Sequence, residues 1–406
     1  MRFLLATHAS LVVDSGEERT LQDLGRHFIA RGHEVRFANY EGLLDNEPRR
    51  SLAQVREQLG STELVSIPAM PFLGRFMAIP SPRGLKALAQ SILWADVVVF
   101  GQFYGFDATM YVLGRILHRP LVCSQANSLF RRHRSSVRDT VQEGYERTLG
   151  LALLRRFEGV RVCNTEDLRS LTERGCRRVI LMYPPNTDLS VVERRQNLPD
   201  PYGAIAQQLS TDSRFKILVA GRMTHQKGLD LLEEAVLRLG QKDPRIADRL
   251  LFLFAGTRDL PVELKGPVAR YPKLTVNLGI VPRSIFPTIM DSVDAVLMPS
   301  RFESFGKVAA EAQSLGKPVV GTSVTGLREV VANGVTGILI DDWSPDLLVA
   351  AIEEAYEMYR SNPERWNAMK TAARVRFEER FGPPRVHAQM DTLADTLEDL
   401  VAHRSR

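Results

Sequence analysis

Short apolar runs alternate along this chain with longer stretches whose apolar residues recur every three or four positions. In the first half the short runs are 3–7 (FLLAT), 33–39 (HEVRFAN), 96–101 (DVVVFG), 120–124 (PLVCS) and 160–164 (VRVCN), and helical spacing fills 17–31 and 106–117. Strand, helix, strand in that order predicts parallel strands joined by crossover helices. Gly32, in RGHEV (31–35), ends the first helix where a left-handed residue is wanted. Around 182–189 (MYPPNTDL) the alternation stops, and 194–214 is polar, proline-bearing and aperiodic, as an exposed interdomain connector would be.

A second alternation follows, with strands expected at 215–221 (FKILVAG), 250–256 (LLFLFAG), 274–279 (LTVNLG), 294–300 (DAVLMPS), 318–323 (PVVGTS) and 337–340 (GILI). Helices separate them. In the helix expected over 228–239, Leu229, Leu232, Ala235, Val236 and Leu239 form a core-facing stripe. Residues 377–390 (FEERFGPPRVHAQM) read as a crossing back to the first domain. The expected fold class is α/β, with two Rossmann-like, doubly wound parallel-sheet domains facing across a cleft. The first comprises 1–193 with a returning helix over 384–406, the second 215–383, and 194–214 links them. Ligands in such sheets sit beyond the carboxyl ends of the strands, so every candidate site should follow a strand directly.

A length of 406 residues agrees with two domains, each able to bury a core. The composition, 44% apolar and 25% charged, is that of an ordinary globular protein and argues against disorder. The net charge of +5 resides in the first half, where residues 1–200 carry 27 Arg and Lys against 22 Asp and Glu. Its densest cluster is RRHRSSVR, Arg131 to Arg138, which reads as a solvated helix face or as a contact for phosphate or an anionic lipid surface. Without interleaved aromatics it does not point to nucleic acid. Cys123, Cys163 and Cys176 fit neither a disulfide framework nor a zinc spacing, so a reduced, cytoplasmic setting is expected. The opening MRFLLATHAS is too short for a signal-peptide core, and no stretch approaches the ~20 apolar residues of a spanning helix. Membrane contact would then be peripheral, at the inner face.

Two stretches carry chemistry. In AGRMTHQKG (220–228) a strand ends at Gly221, and Arg222 and Lys227 flank a turn into a helix whose free N–H groups favour anions. Two cations beside a helix start suit a diphosphate. In MPSRFESFGKVAAEAQSLGKPVVGTS (298–323), Glu303 sits on a strand's exit loop and Glu311 lies about one and a half turns into the next helix. Gly306 permits close approach of the backbone, and the first-turn amides of Ser304, Phe305, Gly306 and Lys307 could hold phosphate between the acids. Carboxylates accept strongly from paired sugar hydroxyls, so Glu303 suits a hexose and Glu311 a ribose. Singly, each feature is also what a solvated turn or a helix-start acid would give. Together they converge on a nucleotide sugar.

On these residues the chain resembles the retaining glycosyltransferases of family 4, with their GT-B fold and E-x7-E motif. AGRMTHQKGLDLL and MPSRFESFGKVAAEAQSLGKPVVGTSVTGLREVVANGVTGILI carry the likeness over about residues 215–345, including the G-x-x-E of Gly326 to Glu329. PPNTDL is similar to the family's P-N-G-V-D segment, with Asn186 and Asp188 kept and Thr187 in place of glycine. The resemblance implies that Arg222 and Lys227 bind the donor diphosphate, Glu303 the transferred sugar and Glu311 the ribose. It implies that Gly256 and Thr257 line the pocket and that the base stacks near Val281 and Pro282. No D-x-D occurs, which agrees with metal-free chemistry and no cofactor beyond the donor itself.

The first half departs from the family. Gly16, in VDSGEER, stands where a glycine pair is usual, and Ala126 stands where a histidine is usual after the P-V-V-x-T strand. That leaves Gln125, Asn127 and His8 as candidates to position sugar or acceptor. The expected function is retaining, metal-independent transfer of a hexose-type sugar from a UDP- or GDP-linked donor to an acceptor hydroxyl or amine. A nucleotide-sugar epimerase or hydrolase of the same architecture, or a non-catalytic nucleotide-sugar-binding subunit, are the alternatives.

Overall fold

The structure, a computed structural model, describes residues 1–7, 16–40, 52–60, 62–72, 77–101, 108–125, 144, 146–185, 188–192, 198–256 and 262–403. Fifteen strands follow one another along these residues. They are β1 (Arg2–Thr7), β2 (Glu34–Tyr40), β3 (Glu63–Ile67), β4 (Ala69–Phe72), β5 (Met77–Pro80), β6 (Val97–Gly101), β7 (Leu121–Gln125), β8 (Gly159–Val162), β9 (Val179–Leu181), β10 (Phe215–Ala220), β11 (Leu250–Ala255), β12 (Thr275–Gly279), β13 (Ala295–Met298), β14 (Val319–Thr322) and β15 (Gly337–Ile340). The chain divides into two compact units, Met1–Pro185 with Val386–Arg406, and Asn186–Arg385.

The first unit is built on a parallel sheet in the order β3-β2-β1-β6-β7-β8-β9. Strands β6 (VVVFG) and β7 (LVCSQ) are buried along their whole length, which is why they read as apolar runs with no alternation. Cys123, Cys163 and Cys176 are buried free thiols in this unit. Helix Pro383–Ala402 is fastened to it by charge. Arg31 reaches Asp395 at 2.6 Å, Glu398 at 3.0 Å and Asp391 at 3.3 Å, while His27 meets Asp391 at 3.0 Å and His33 meets Glu398 at 3.1 Å. The Gln389 amide oxygen accepts the Tyr183 N–H at 2.9 Å.

The second unit carries a parallel sheet in the order β12-β11-β10-β13-β14-β15. β11 (LLFLFA) is buried throughout, and helix Leu229–Lys242 lays Leu229, Leu232, Ala235, Val236 and Leu239 on the core as its spacing predicts. Residues 194–214, expected as an aperiodic connector, contain a helix, Tyr202–Thr211. Leu209 is its one buried residue, so it makes too narrow an apolar stripe for periodicity to register. Among the strands, β3, mixed in polarity and half-exposed, the three-residue edge strand β9 and the β4–β5 hairpin escaped the sequence, as did helices Leu52–Leu59, Pro82–Trp94 and Thr165–Glu173. Among the described residues no helix is long and apolar enough to cross a membrane.

Asp188, in the P-N-T-D-L segment, ties the beginning of the second unit to its interior. Its carboxylate accepts from Arg374 at 2.8 and 3.1 Å and from the Ser190 N–H at 3.0 Å, while the next residue, Leu189, donates its N–H to Ser314 Oγ at 3.0 Å. Asn186 and Thr187 lie outside the described residues. Burial pushes the Asp188 carboxyl up, but the hydrogen bonds from Arg374 and Ser190 outweigh it and hold the group below the usual carboxylate range. A carboxyl depressed by folding contributes stability above its unfolded pKa, and that contribution is lost as pH falls through the folded value. Arg374→Met should therefore lower stability at pH 7 by about 1.5–3 kcal/mol. The gap between wild type and variant should close below about pH 4, as read from denaturant unfolding at a series of pH values.

Candidate active site

The order of the second sheet reverses between β10 and β13, the place where a doubly wound sheet opens a crevice beyond its carboxyl edge. Both chemically distinctive stretches leave the sheet there. After β10 the chain makes a turn over 221–228, with the Thr224 N–H on Arg222 O at 2.9 Å and the Lys227 N–H on Thr224 O at 2.8 Å. The turn ends at Gly228, whose φ of 70° starts helix Leu229–Lys242. A Cβ on Gly228 would lie 1.9 Å from Pro299 O, so only glycine lets this turn rest on the β13 exit.

Lys227 and Glu303 meet across the two exits. Lys227 Nζ lies 2.5 Å from Glu303 Oε1, with the two side chains 22% and 11% exposed. Ser300 Oγ donates to the same carboxylate oxygen at 2.8 Å, and the Gly326 N–H donates to Glu303 O at 2.8 Å. Ser300 is fixed in turn, its carbonyl accepting from Thr322 Oγ1 at 2.5 Å. The Glu303 carboxylate is thus nearly buried, held by the Ser300 hydroxyl and neutralised by one ammonium, while the Gly326 N–H fixes its backbone. Arg222 stands exposed at the opposite end of the same turn.

Glu311 is more deeply placed. Helix Lys307–Ser314 starts at Gly306, with φ 86°, and buries everything from Ala309 to Ser314, Glu311 included. The Glu311 side chain is 2% exposed and its Oε1 accepts from Arg283 Nη2 at 2.5 Å, while Arg283 remains 45% exposed. Arg283 follows Val281 and Pro282 on the β12 exit loop, where Ile280 is also exposed. The sequence-derived ribose acid and the sequence-derived base-stacking loop are therefore joined by a direct ion pair.

The remaining candidates fall as follows. Gly256 closes the β11 exit against Gly221, with its own N–H on Gly279 O at 2.8 Å. Ser304 and Lys307 are half-buried beside Gly306. The Phe305 ring is 3% exposed and packs edge-on against Phe381 at 5.5 Å, so only its backbone, the part expected to hold phosphate, remains for a ligand. Glu329 of the G-x-x-E stretch is ion-paired to Arg380 at 3.1 Å. In the first unit, Gln125 is buried at the carboxyl end of β7, near Cys123 Sγ at 3.9 Å, and Gly16 opens helix Gly16–Ala30. His8, Asn127, Thr257 and the cluster Arg131 to Arg138 lie outside the described residues. Sequence reasoning missed Arg283, Arg301, Asp230 and Ser300, whose contacts come from chain segments far apart or carry no motif.

Residues 204–376 match the family described as glycosyl transferases group 1. D-inositol 3-phosphate glycosyltransferase 1 of Catenulispora acidiphila is 34% identical over 168 residues, 39% of this chain and 39% of that protein. D-inositol 3-phosphate glycosyltransferase of Geodermatophilus obscurus is 34% identical over 204 residues, 47% and 44% of the respective chains. The similarity thus spans less than half the length of these relatives. The fold extends further. HepE of Anabaena in complex with UDP shares 20% identity at a TM-score of 0.71, covering 98% of this chain and 100% of that one. Sucrose-phosphate synthase of Thermosynechococcus elongatus shares 18% at 0.71, covering 98% and 100%. Two Rossmann-like parallel-sheet units in this match make the fold GT-B.

The Arg283–Glu311 pair is open to a direct test. Arg283→Met should reduce stability by about 1.5–3 kcal/mol, because it leaves a buried carboxylate without its cation. Adding Glu311→Gln should recover most of the loss in a double-mutant cycle by denaturant unfolding.

Proposed function

We propose that this protein is a retaining, metal-independent glycosyltransferase that moves a hexose-type sugar from a UDP- or GDP-linked donor to an acceptor hydroxyl or amine. The observation that carries the reading is the Lys227–Glu303 pair at the switch point of the sheet, with Glu311 on the adjoining helix. A nucleoside diphosphate sugar is complementary to both partners of that pair. Its diphosphate offers the anion that Lys227 and Arg222 would turn toward, and its sugar hydroxyls are donors for the Glu303 carboxylate once the ammonium has moved. The Glu311 carboxylate would take the ribose hydroxyl pair, with the base near Val281 and Pro282.

Catalysis then rests on the leaving group. As the glycosidic carbon–oxygen bond breaks, positive charge grows on the sugar ring and negative charge on the diphosphate, which the guanidinium, the ammonium and the first-turn amides stabilise. A donor phosphate oxygen takes the acceptor's proton, and the acceptor oxygen or nitrogen bonds to the anomeric carbon on the face the diphosphate leaves. The absence of D-x-D supports the metal-independent form, with two side-chain cations in the place of a divalent ion. We further propose a cytoplasmic setting, no nucleic-acid partner, and peripheral contact with an anionic membrane face through Arg131 to Arg138.

A panel of nucleotide sugars and acceptors, assayed with EDTA present, should release nucleoside diphosphate only when the right acceptor is added. Release without acceptor would favour an epimerase or hydrolase, and binding without release a partner subunit. Lys227→Ala and Arg222→Ala should each lower kcat about 10²–10³-fold, with the thermal midpoint little changed in Arg222→Ala and lowered in Lys227→Ala, which leaves the Glu303 carboxylate without its cation. Glu311→Ala should chiefly raise the donor KM. Wild-type rates in both cation variants would overturn the diphosphate assignment.

A further inference from the structure

The two groups that would act on the donor, Lys227 and Glu303, come from loops 76 positions apart in sequence. A lysine ammonium is placed only as well as the backbone beneath its flexible stem, so something must fix the 221–228 turn relative to the Glu303 loop. Arg301 does this. Its two Nη atoms grip both Asp230 carboxylate oxygens, each at 2.5 Å, and Nη1 also donates to His225 O at 3.0 Å. Its own N–H donates to Gln226 O at 2.8 Å, and Gln226 Nε2 donates back to Phe302 O at 3.2 Å. The guanidinium face lies 4.7 Å from the centre of the Trp343 ring, supplied by the chain just after β15, and the arginine side chain is only 14% exposed.

Consecutive carbonyls at 225 and 226 are thus held by one residue, and Lys227 is the next position along. On the other loop, Glu303 follows Arg301 by two. Asp230 belongs to the first turn of helix Leu229–Lys242, so the fork fixes the helix start as well as the turn. The Arg301 hydrogen bond holds the Asp230 carboxyl below the usual carboxylate range, against the effect of burial. No other side chain provides a planar fork, a further carbonyl contact and a stacking face at once.

We infer that Arg301, anchored by Asp230 and Trp343, is a positioning residue that sets the Lys227 ammonium against the Glu303 carboxylate for the transition state. The inference rests on the proposed transfer reaction. Arg301 itself touches neither Lys227 nor the Glu303 carboxylate, and its effect passes through the backbone of the turn. Because a flexible lysine can still reach a bound diphosphate from a displaced turn, ground-state binding should suffer little. The transition state tolerates such displacement poorly, since an error near 1 Å is worth about 100-fold in rate.

The test compares wild type with Arg301→Met, Arg301→Lys and Asp230→Asn by two independent readouts. Without any ligand, amide hydrogen exchange over residues 223–228 should be at least about tenfold faster in each variant, with the thermal midpoint largely kept. In the transfer assay, Arg301→Met should lower kcat about 30–100-fold with the donor KM and the affinity for UDP or GDP within about threefold of wild type. Arg301→Lys should resemble Arg301→Met. Unchanged exchange over 223–228, a wild-type kcat in Arg301→Lys, or a rate loss that merely tracks the fraction of unfolded protein would each overturn the inference. If wild type transfers sugar from no nucleotide donor, the proposed function falls, and the exchange measurement alone decides whether Arg301 holds the turn.

Discussion

Each of the two carboxylates at the β10–β13 switch point is met by one cation of its own chain, Lys227 for Glu303 and Arg283 for Glu311. That pairing is the constraint under which the rest of the site is arranged. An acid 11% or 2% exposed cannot keep its charge in a folded interior without compensation, and here the compensation is supplied by side chains long enough to move. A ligand that takes up either acid must also satisfy the cation it displaces. A diphosphate joined to hydroxyl-rich rings carries both complements in one molecule, whereas a plain sugar or a plain phosphate carries only one.

Glycine and main-chain contacts make this closeness possible. The exits of β10 and β13 touch through Gly228 against Pro299, and the Glu303 carbonyl is fastened by the Gly326 N–H. The acids are therefore set by backbone on rigid elements, while the cations reach them from flexible stems. Rigid acceptors with movable counter-charges suit a site that must be stable when empty and receptive when a ligand arrives.

The sheet framework was legible because its strands are apolar along their length, and the Arg–Lys turn and the E-x7-E stretch were legible because each is local in sequence. What stayed hidden is long-range or weakly patterned. The partners of Arg301 and Glu311 lie 71 and 28 positions away, and no spacing rule announces a contact made by folding. The helix Tyr202–Thr211 escaped because a single buried leucine makes no stripe. The edge strands β3 and β9 escaped because half-exposed or three-residue segments lack the unbroken apolar run of a central strand.

The first unit draws its closing helix from residues 386 onward, after the whole of the second unit has been made. On the ribosome, residues 1–185 must wait with the surface that Arg31, His27 and His33 present still uncovered while some two hundred residues of the second unit emerge and collapse. The second unit can finish before the first. Expressing the halves as separate genes cut near 185 would strand that helix on the wrong piece, so a split version of this protein would need residues 386–403 grafted back onto its amino-terminal half.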